Sequence, residues 1–281
     1  MTRRLVSDER GPDERGRADL HIHTVASDGI AGVAEILETI AARDDLDVIA
    51  ITDHERVDAA VAARAIARRR GYRFEVVVGE EITTRAGHLL GLFLEQPIRP
   101  FQSLRASVAA IHAQGGLAVP AHPLVPYPLC IAARPLRRLL ADPDPAVHPD
   151  ALEVFNPTTA HRPWQPRVVA FASAHDLAPL GSSDAHRPEH IGQGATRFPG
   201  RTAEELRAAI LAGATTWEGT FHPPLEQVGL FGHQVRKYAR DVRAEVRGRL
   251  LRDGTGRDHG YPGGHLRPPR FSEPEPEPEQ R

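Results

Sequence analysis

From residue 18 onward the chain alternates short apolar runs with stretches whose apolar residues recur at helical spacing, the pattern of successive βα units. The apolar runs predict strands at residues 18–23, 47–52, 74–82, 88–93, 117–121, 151–155 and 178–182, with a further one at 215–218. Between them the helical period predicts helices over 33–43, 57–70, 103–114, 135–141, 166–175 and 203–212, and Gly115, Gly116 and Gly213 supply stop signals. Seven β units with intervening helices predict an α/β fold closed into a parallel barrel over residues 18–220, rather than an open sheet. No GxGxxG turn follows the first strand, which removes the main argument for a dinucleotide-binding fold.

The flanks carry a different pattern. Residues 1–17 are polar and charged and are expected to form a disordered leader. Within an extension over 221–252, Val235, Tyr238, Val242, Val246 and Leu250 recur at helical spacing and predict a helix that docks on the barrel wall. Residues 253–281 are Gly, Pro and charge, the composition of a solvated tail.

Composition narrows the function classes. A formal net charge of -2 gives no global reason to expect a nucleic-acid or membrane surface. Of the basic residues only Lys237 is a lysine, which argues against Schiff-base chemistry and against a phosphate loop ending in Lys. The single cysteine, Cys130, excludes an intramolecular disulfide and a thiolate zinc site, and it reads as a small buried hydrophobe. No run of about 18 apolar residues exists and the N-terminus lacks a secretory pattern, so a cytoplasmic enzyme with no membrane contact and no obligate protein partner is expected.

The candidate chemistry lies at the strand ends. His21 and His23 sit at i and i+2 and so face the same way on the first strand. One buried histidine is usually a satisfied core residue, but two on one face need partners for their ring nitrogens, and a metal supplies one. Asp184 and His186 repeat the arrangement after the strand at 178–182, which a closed barrel would lay beside the first. Asp28, His54, Glu80 or Glu81, His88 and His122 fall at other strand ends or in the loops beside them. A mixture of imidazoles and carboxylates suits Zn²⁺, Mn²⁺ or Fe²⁺ better than Mg²⁺ or Ca²⁺, and so many ligands imply two or three divalent ions sharing a carboxylate.

In order along the chain these residues form His-x-His-Thr-x-x-Ser-Asp-Gly, Thr-Asp-His, Gly-x-Glu-Ile, Gly-His-x-x-Gly-Leu, His-Pro and Ser-Asp-Ala-His. The series resembles the PHP (polymerase and histidinol phosphatase) family over residues 18–220. The resemblance implies a distorted seven-stranded barrel with a trinuclear metal centre. It makes His21, His23 and Asp184 ligands of one ion, His88 and His122 of a second, and Asp28, His54 and His186 of a third. It also makes Glu81, the residue before Ile82, the bridge between the first two, with Glu80 as the fallback because adjacent strand residues face opposite ways.

Metal-assisted hydrolysis of a phosphate ester follows, with Asp184, His186 and His54 as candidates for moving the proton. Motif spacing is most similar to the branch of 5′-3′ exonucleases and nucleotide phosphoesterases. The stretch between His88 and His122 is short, however, where that branch carries an inserted subdomain. A phosphorylated small molecule, a nucleotide or a short oligonucleotide is therefore the expected substrate, and a histidinol-phosphatase-like activity is the alternative. Asn156 and Arg187 are candidate substrate contacts, as is Glu153, and Asp53 reads as a carboxylate that orients a loop or an imidazole. An amidohydrolase would commonly use a barrel lysine as its metal bridge, which this chain lacks, and a non-catalytic metal-binding module is the non-enzymatic alternative.

Overall fold

The computed structural model describes residues 15–158 and 160–223. All of them belong to the first of two units defined by backbone contacts, Met1–Lys237; the second, Tyr238–Arg281, lies outside the described residues. So do the predicted leader up to residue 14, nearly all of the extension over 221–252, and the tail over 253–281.

Nine strands and six helices follow one another along the described chain: β1 (Gly16–Asp19), α1 (Val33–Arg43), β2 (Val48–Ile51), α2 (Asp58–Arg70), β3 (Glu75–Thr84), β4 (Gly87–Leu92), α3 (Leu104–Ala113), β5 (Leu117–Pro120), α4 (Ala133–Leu140), β6 (Ala151–Phe155), α5 (Gln165–Ala174), β7 (Ala178–Gly181), β8 (Gly194–Phe198), α6 (Ala203–Leu211) and β9 (Thr216–Gly219). The helices match their sequence prediction to within two residues at each end. Their apolar faces explain why. Ile36, Leu37 and Ile40 form one buried stripe on α1, whose chain turns out through Asp44 at φ 50°. On α2 the buried face is Ala59, Ala60, Ala63 and Ala67, small side chains that let the helix lie close to the sheet.

The sheet departs from the predicted barrel. Seven strands hydrogen-bond in the order β5-β4-β3-β2-β1-β8-β9, and β6 and β7 form a separate parallel pair. Only β1–β2, β2–β3 and β6–β7 are parallel, whereas β3–β4, β4–β5, β1–β8 and β8–β9 are antiparallel. The result is a curled, open half-barrel and not a closed parallel (β/α) barrel. The physical reason is connection length. Only Arg85 and Ala86 separate β3 from β4, far too few for the crossover that a parallel neighbour requires. β8 was not predicted, because Gly194-Ala195-Thr196-Arg197-Phe198 carries no apolar run of its own. β1 also starts at Gly16, inside the expected leader.

β3 is the hinge of the curl. Its first half pairs with β2 and its second half, from Gly79, pairs with β4. A Cβ at Gly79 would lie 2.7 Å from Thr52 Cγ2, so the switch of partners needs a residue without one. Along β2 the residues alternate between two cores, Ile49 and Ile51 toward the helices, Val48 and Ala50 into the curl. The inner core is closed by Leu20, Leu90, Val119, Phe198 and, from α6, Leu206 and Ile210.

The β6–β7 pair sits at the open side of the sheet. Asp150 N–H donates to Ala118 O beside β5 (2.9 Å), and Thr196 Oγ1 on β8 donates to Gly181 O (2.8 Å). Beyond the ladders, pairing continues as single bridges, Ile22 with Ala185 and His54 with Glu81. These bridges bring the C-terminal ends of β1, β2, β3 and β7 together.

Candidate metal centre

The β1 ladder stops at Asp19, and the next four residues run on as an extended segment held by tertiary bonds. His23 N–H donates to Ala185 O (2.9 Å) and Ala185 N–H donates to His21 O (3.1 Å). Asp19 is buried and accepts the N–H groups of Ser183 (2.9 Å) and Gly192 (2.7 Å), so one carboxylate ties the first strand to the segment that carries Asp184 and His186. Asp184 itself has φ 51° and His122 has φ 32°, left-handed conformations that non-glycine residues adopt at a cost.

At the centre lies Glu81, 1% exposed. Its Oε2 is 3.2 Å from His21 Nε2, 3.3 Å from His23 Nε2 and 3.4 Å from His54 Nε2. Its Oε1 is 2.8 Å from His88 Nδ1 and 3.1 Å from His122 Nε2. Glu80 faces away, and its Oε2 accepts the N–H of Ile98 (2.8 Å). Asp184 Oδ1 approaches His21 Nε2 (3.4 Å) and His23 Nε2 (3.3 Å). On the far side of His23, Asp28 Oδ2 lies 3.0 Å from His186 Nε2 and 3.6 Å from His54 Nε2.

Among the described residues there are three sets whose donor atoms lie within 4.8 Å of one another: His21, His23, Glu81 and Asp184; His23, Asp28 and His186; and His54, Glu81 and His88. Eight of the nine residues singled out as ligands fall in these sets, and the ninth, His122, joins the cluster through its contact with Glu81. The grouping differs from the one the family resemblance implied in three respects: His23 also reaches the Asp28 and His186 set, His54 stands between Asp28 and Glu81, and His88 groups with His54 and not with His122.

The donor chemistry can be tested against a metal. His21 Nε2, His23 Nε2 and His88 Nδ1 are buried and make no hydrogen bond, although carboxylate oxygens stand close by. Protein interiors rarely leave several such nitrogens unused in one place. Lone pairs aimed at a shared space beside three carboxylates fit divalent cations.

The metal-free electrostatics point the same way. Burial pushes the Glu81 carboxyl up, but the imidazoles of His88, His21 and His54 outweigh it and hold the group well below the usual carboxylate range. Asp28 is likewise held down, by His186 and His23 against burial. Burial lowers His23, yet Asp28, Asp184 and Glu81 together raise it to about 10. At His88 burial wins, and that ring is pushed below its ordinary value.

The surrounding residues hold this arrangement. Asp53 accepts Thr24 N–H (2.8 Å), Thr24 Oγ1 (2.8 Å) and Ser27 Oγ, and so braces the loop that carries Asp28. Glu153 is fully buried and lies 3.0 Å from His21 Nδ1. Asn156, also fully buried, directs its Nδ2 to Glu153 and Asp184, and its Oδ1 accepts Thr158 N–H (3.1 Å). Cys130 corrects the expectation of an inert buried hydrophobe: it is only half-buried, and its Sγ lies 3.2 Å from His122 Nδ1. Arg187 lies beside His186 in sequence, with its Nη1 3.4 Å from Glu189. The bond from Glu153 to His21 carried no sequence signal, since the two residues are remote in the chain.

Several known proteins are similar to this chain. The family model described as PHP-associated matches residues 163–215. An uncharacterised protein of Methanocaldococcus jannaschii is 34% identical over 151 residues, which cover 50% of this chain and 81% of that protein. By residues 163–215 and by its fold the chain is similar to proteins of the PHP superfamily.

Solved structures share the fold. A two-domain protein from Bacteroides vulgatus containing a predicted PHP-like metal-dependent phosphoesterase superimposes with a TM-score of 0.59 at 20% identity, over 73% of this chain and 64% of that one. The chain thus spans less than two thirds of that two-domain protein. An amidohydrolase from Chromobacterium violaceum, solved with bound sulfate and no metal, gives a TM-score of 0.53 at 20% identity over 71% of this chain and 97% of that one. Among the described residues no helix is long and apolar enough to cross a membrane.

Proposed function

We propose that this chain is a metal-dependent phosphoesterase with a dinuclear or trinuclear centre, acting on a phosphate ester of a nucleotide or of a nucleic-acid 5′ end. The observation that carries the reading is Glu81, one buried carboxylate in contact with five imidazoles, two of whose Nε2 atoms have no hydrogen bond. His21, His23 and Asp184 would hold one ion, His88 and His122 a second, and Asp28, His54 and His186 a third, with Glu81 available to the first two. Divalent cations of the Mn²⁺, Zn²⁺ or Fe²⁺ type supply Lewis acidity there, acidifying water and neutralising phosphoryl charge.

The chain's own groups do the rest. The side chains of His54 (19% exposed), His122 (16%) and Asp184 (13%) are the most open of the cluster, so substrate approaches from their side. Asp184, with His186 Nδ1 3.7 Å from its Oδ1, is assigned to take a proton from water and return it to the leaving oxygen, with His54 as the other candidate. Arg187, the residue that follows His186, is assigned to the phosphoryl oxygens. The short link between β4 and β5 leaves room for a nucleotide or strand end but supplies no extra subdomain to track a long strand.

Purified protein loaded with Mn²⁺ tests this reading against p-nitrophenyl phosphate, nucleoside monophosphates, histidinol phosphate and short 5′-phosphorylated oligonucleotides, with His23→Ala as control. Turnover that needs metal and vanishes in the variant supports it, and the preferred substrate separates nucleotide from small-molecule chemistry. Protein that takes up metal but turns over none of these esters overturns it in favour of a metal-binding module.

A further inference from the structure

Glu153 lies on β6, in the strand pair that no ladder joins to the main sheet. It is 0% exposed, so it cannot meet a substrate. Its two oxygens serve two different parts of the cluster. Oε1 lies 3.0 Å from His21 Nδ1. Oε2 accepts the backbone N–H of His122 at 2.5 Å, and Asn156 Nδ2 at 3.3 Å. The same Asn156 amide reaches Asp184 Oδ2 at 3.3 Å.

Each contact has a definite consequence. An ionised carboxylate only accepts, so the proton of a neutral His21 sits on Nδ1 and its Nε2 keeps a lone pair directed at Glu81 and Asp184. At His122 the backbone is in the left-handed region, and the bond from its N–H to Glu153 holds it there. That conformation turns the ring so that Nε2 meets Glu81 Oε1 at 3.1 Å.

We infer that Glu153 is a positioning residue that couples the two ion sites on either side of Glu81, fixing His21 for one and His122 for the other, with Asn156 extending the link to Asp184. This rests on the metal-centre reading above. It makes a specific distinction. Removing a ligand that belongs to one ion loosens that ion, whereas removing the Glu153 carboxylate loosens two together. Glutamine is the informative replacement, because its single oxygen can serve His21 or His122 but not both.

Wild type, Glu153→Gln and His88→Ala are stripped of metal, checked for native secondary structure by circular dichroism, and titrated with Zn²⁺ against a chromophoric chelator. Elemental analysis gives the final stoichiometry. Losing such an orienting carboxylate weakens metal affinity by about 10–100-fold. The expected result is a loss of that order in two binding steps of Glu153→Gln, and in one step of His88→Ala. Wild-type affinity in Glu153→Gln, or weakening of a single step, overturns the inference.

A measurement on the wild type guards against a variant that fails to fold. In protein labelled with ¹⁵N-histidine, the His21 Nδ1 proton should exchange slowly and persist when Zn²⁺ is added. A His21 ring protonated on Nε2 in the zinc-loaded protein overturns the coupling. A wild type that binds no metal at all brings down the functional reading itself, a result distinct from either of these.

Discussion

Asp53 offers a sharp test of how the site is held, because its contacts can be counted. The carboxylate is 1% exposed and accepts three donors, Thr24 N–H, Thr24 Oγ1 and Ser27 Oγ. Asp53→Ala leaves all three without their acceptor, and a buried donor stripped of its partner costs about 1–3 kcal/mol. Water entering the vacated space relieves part of this, which brings the expected loss to about 3–5 kcal/mol. Asp53→Asn keeps one oxygen of the same shape and requires only the Thr24 hydroxyl to turn and accept, for a loss of about 1–2 kcal/mol. Urea denaturation of metal-free protein, followed by circular dichroism, measures both, and an unchanged slope confirms that the same transition is compared. Because the loop braced by Asp53 carries Asp28, the alanine variant should also bind less metal by elemental analysis. An alanine variant within 1 kcal/mol of wild type would refute the reasoning, and would mean that the loop is held by its own turn.

Other consequences are as direct. In metal-free protein the folded His23 is raised from 6.5 to about 10, so its contribution to stability is complete below pH 6.5 and is lost as pH rises toward 10. Asp28 is held low, and its contribution is present above its ordinary value of 3.8 and is lost as pH falls below it. Thermal melts of chelator-treated protein should therefore weaken between pH 6.5 and 10, and a flat profile there would remove His23 from the account. Metal uptake should weaken as pH falls, because an imidazole must lose its proton to bind, and chelator titrations at several pH values check this. Gly29→Ala would place a Cβ 2.4 Å from the His23 carbonyl oxygen, a backbone atom that cannot step aside. A loss of about 2 kcal/mol or more in urea melts is expected. Arg187→Ala should raise KM for a phosphate ester while leaving metal content unchanged, and an unaltered KM would release that residue from phosphate binding.

Much of this molecule was legible in its sequence, for reasons that are local. Helical period and stop residues placed six helices, since burying one apolar stripe is a property of the segment itself. The paired spacing of His21 with His23, and of Asp184 with His186, marked the chemistry because strand alternation sets facing without knowledge of the rest of the fold. Register was another matter. Whether β4 runs with or against β3 was decided by a two-residue connection, and β8 exists only because β1 and β9 offer it partners. Glu81 and Glu80 are chemically alike and adjacent, and the pairing of β3 turns one to the imidazoles and the other to Ile98. Glu153 is the clearest case. Its carboxylate acquires a role only when β6 is laid against the open side of the sheet, where His21 and His122, distant along the chain, meet its two oxygens. Sequence by itself determined which ligand types the chain carries and the local geometry that presents them. Tertiary structure decided which of them share an ion's space and which groups hold them there, because hydrogen bonds between remote segments follow from packing and leave no periodic trace.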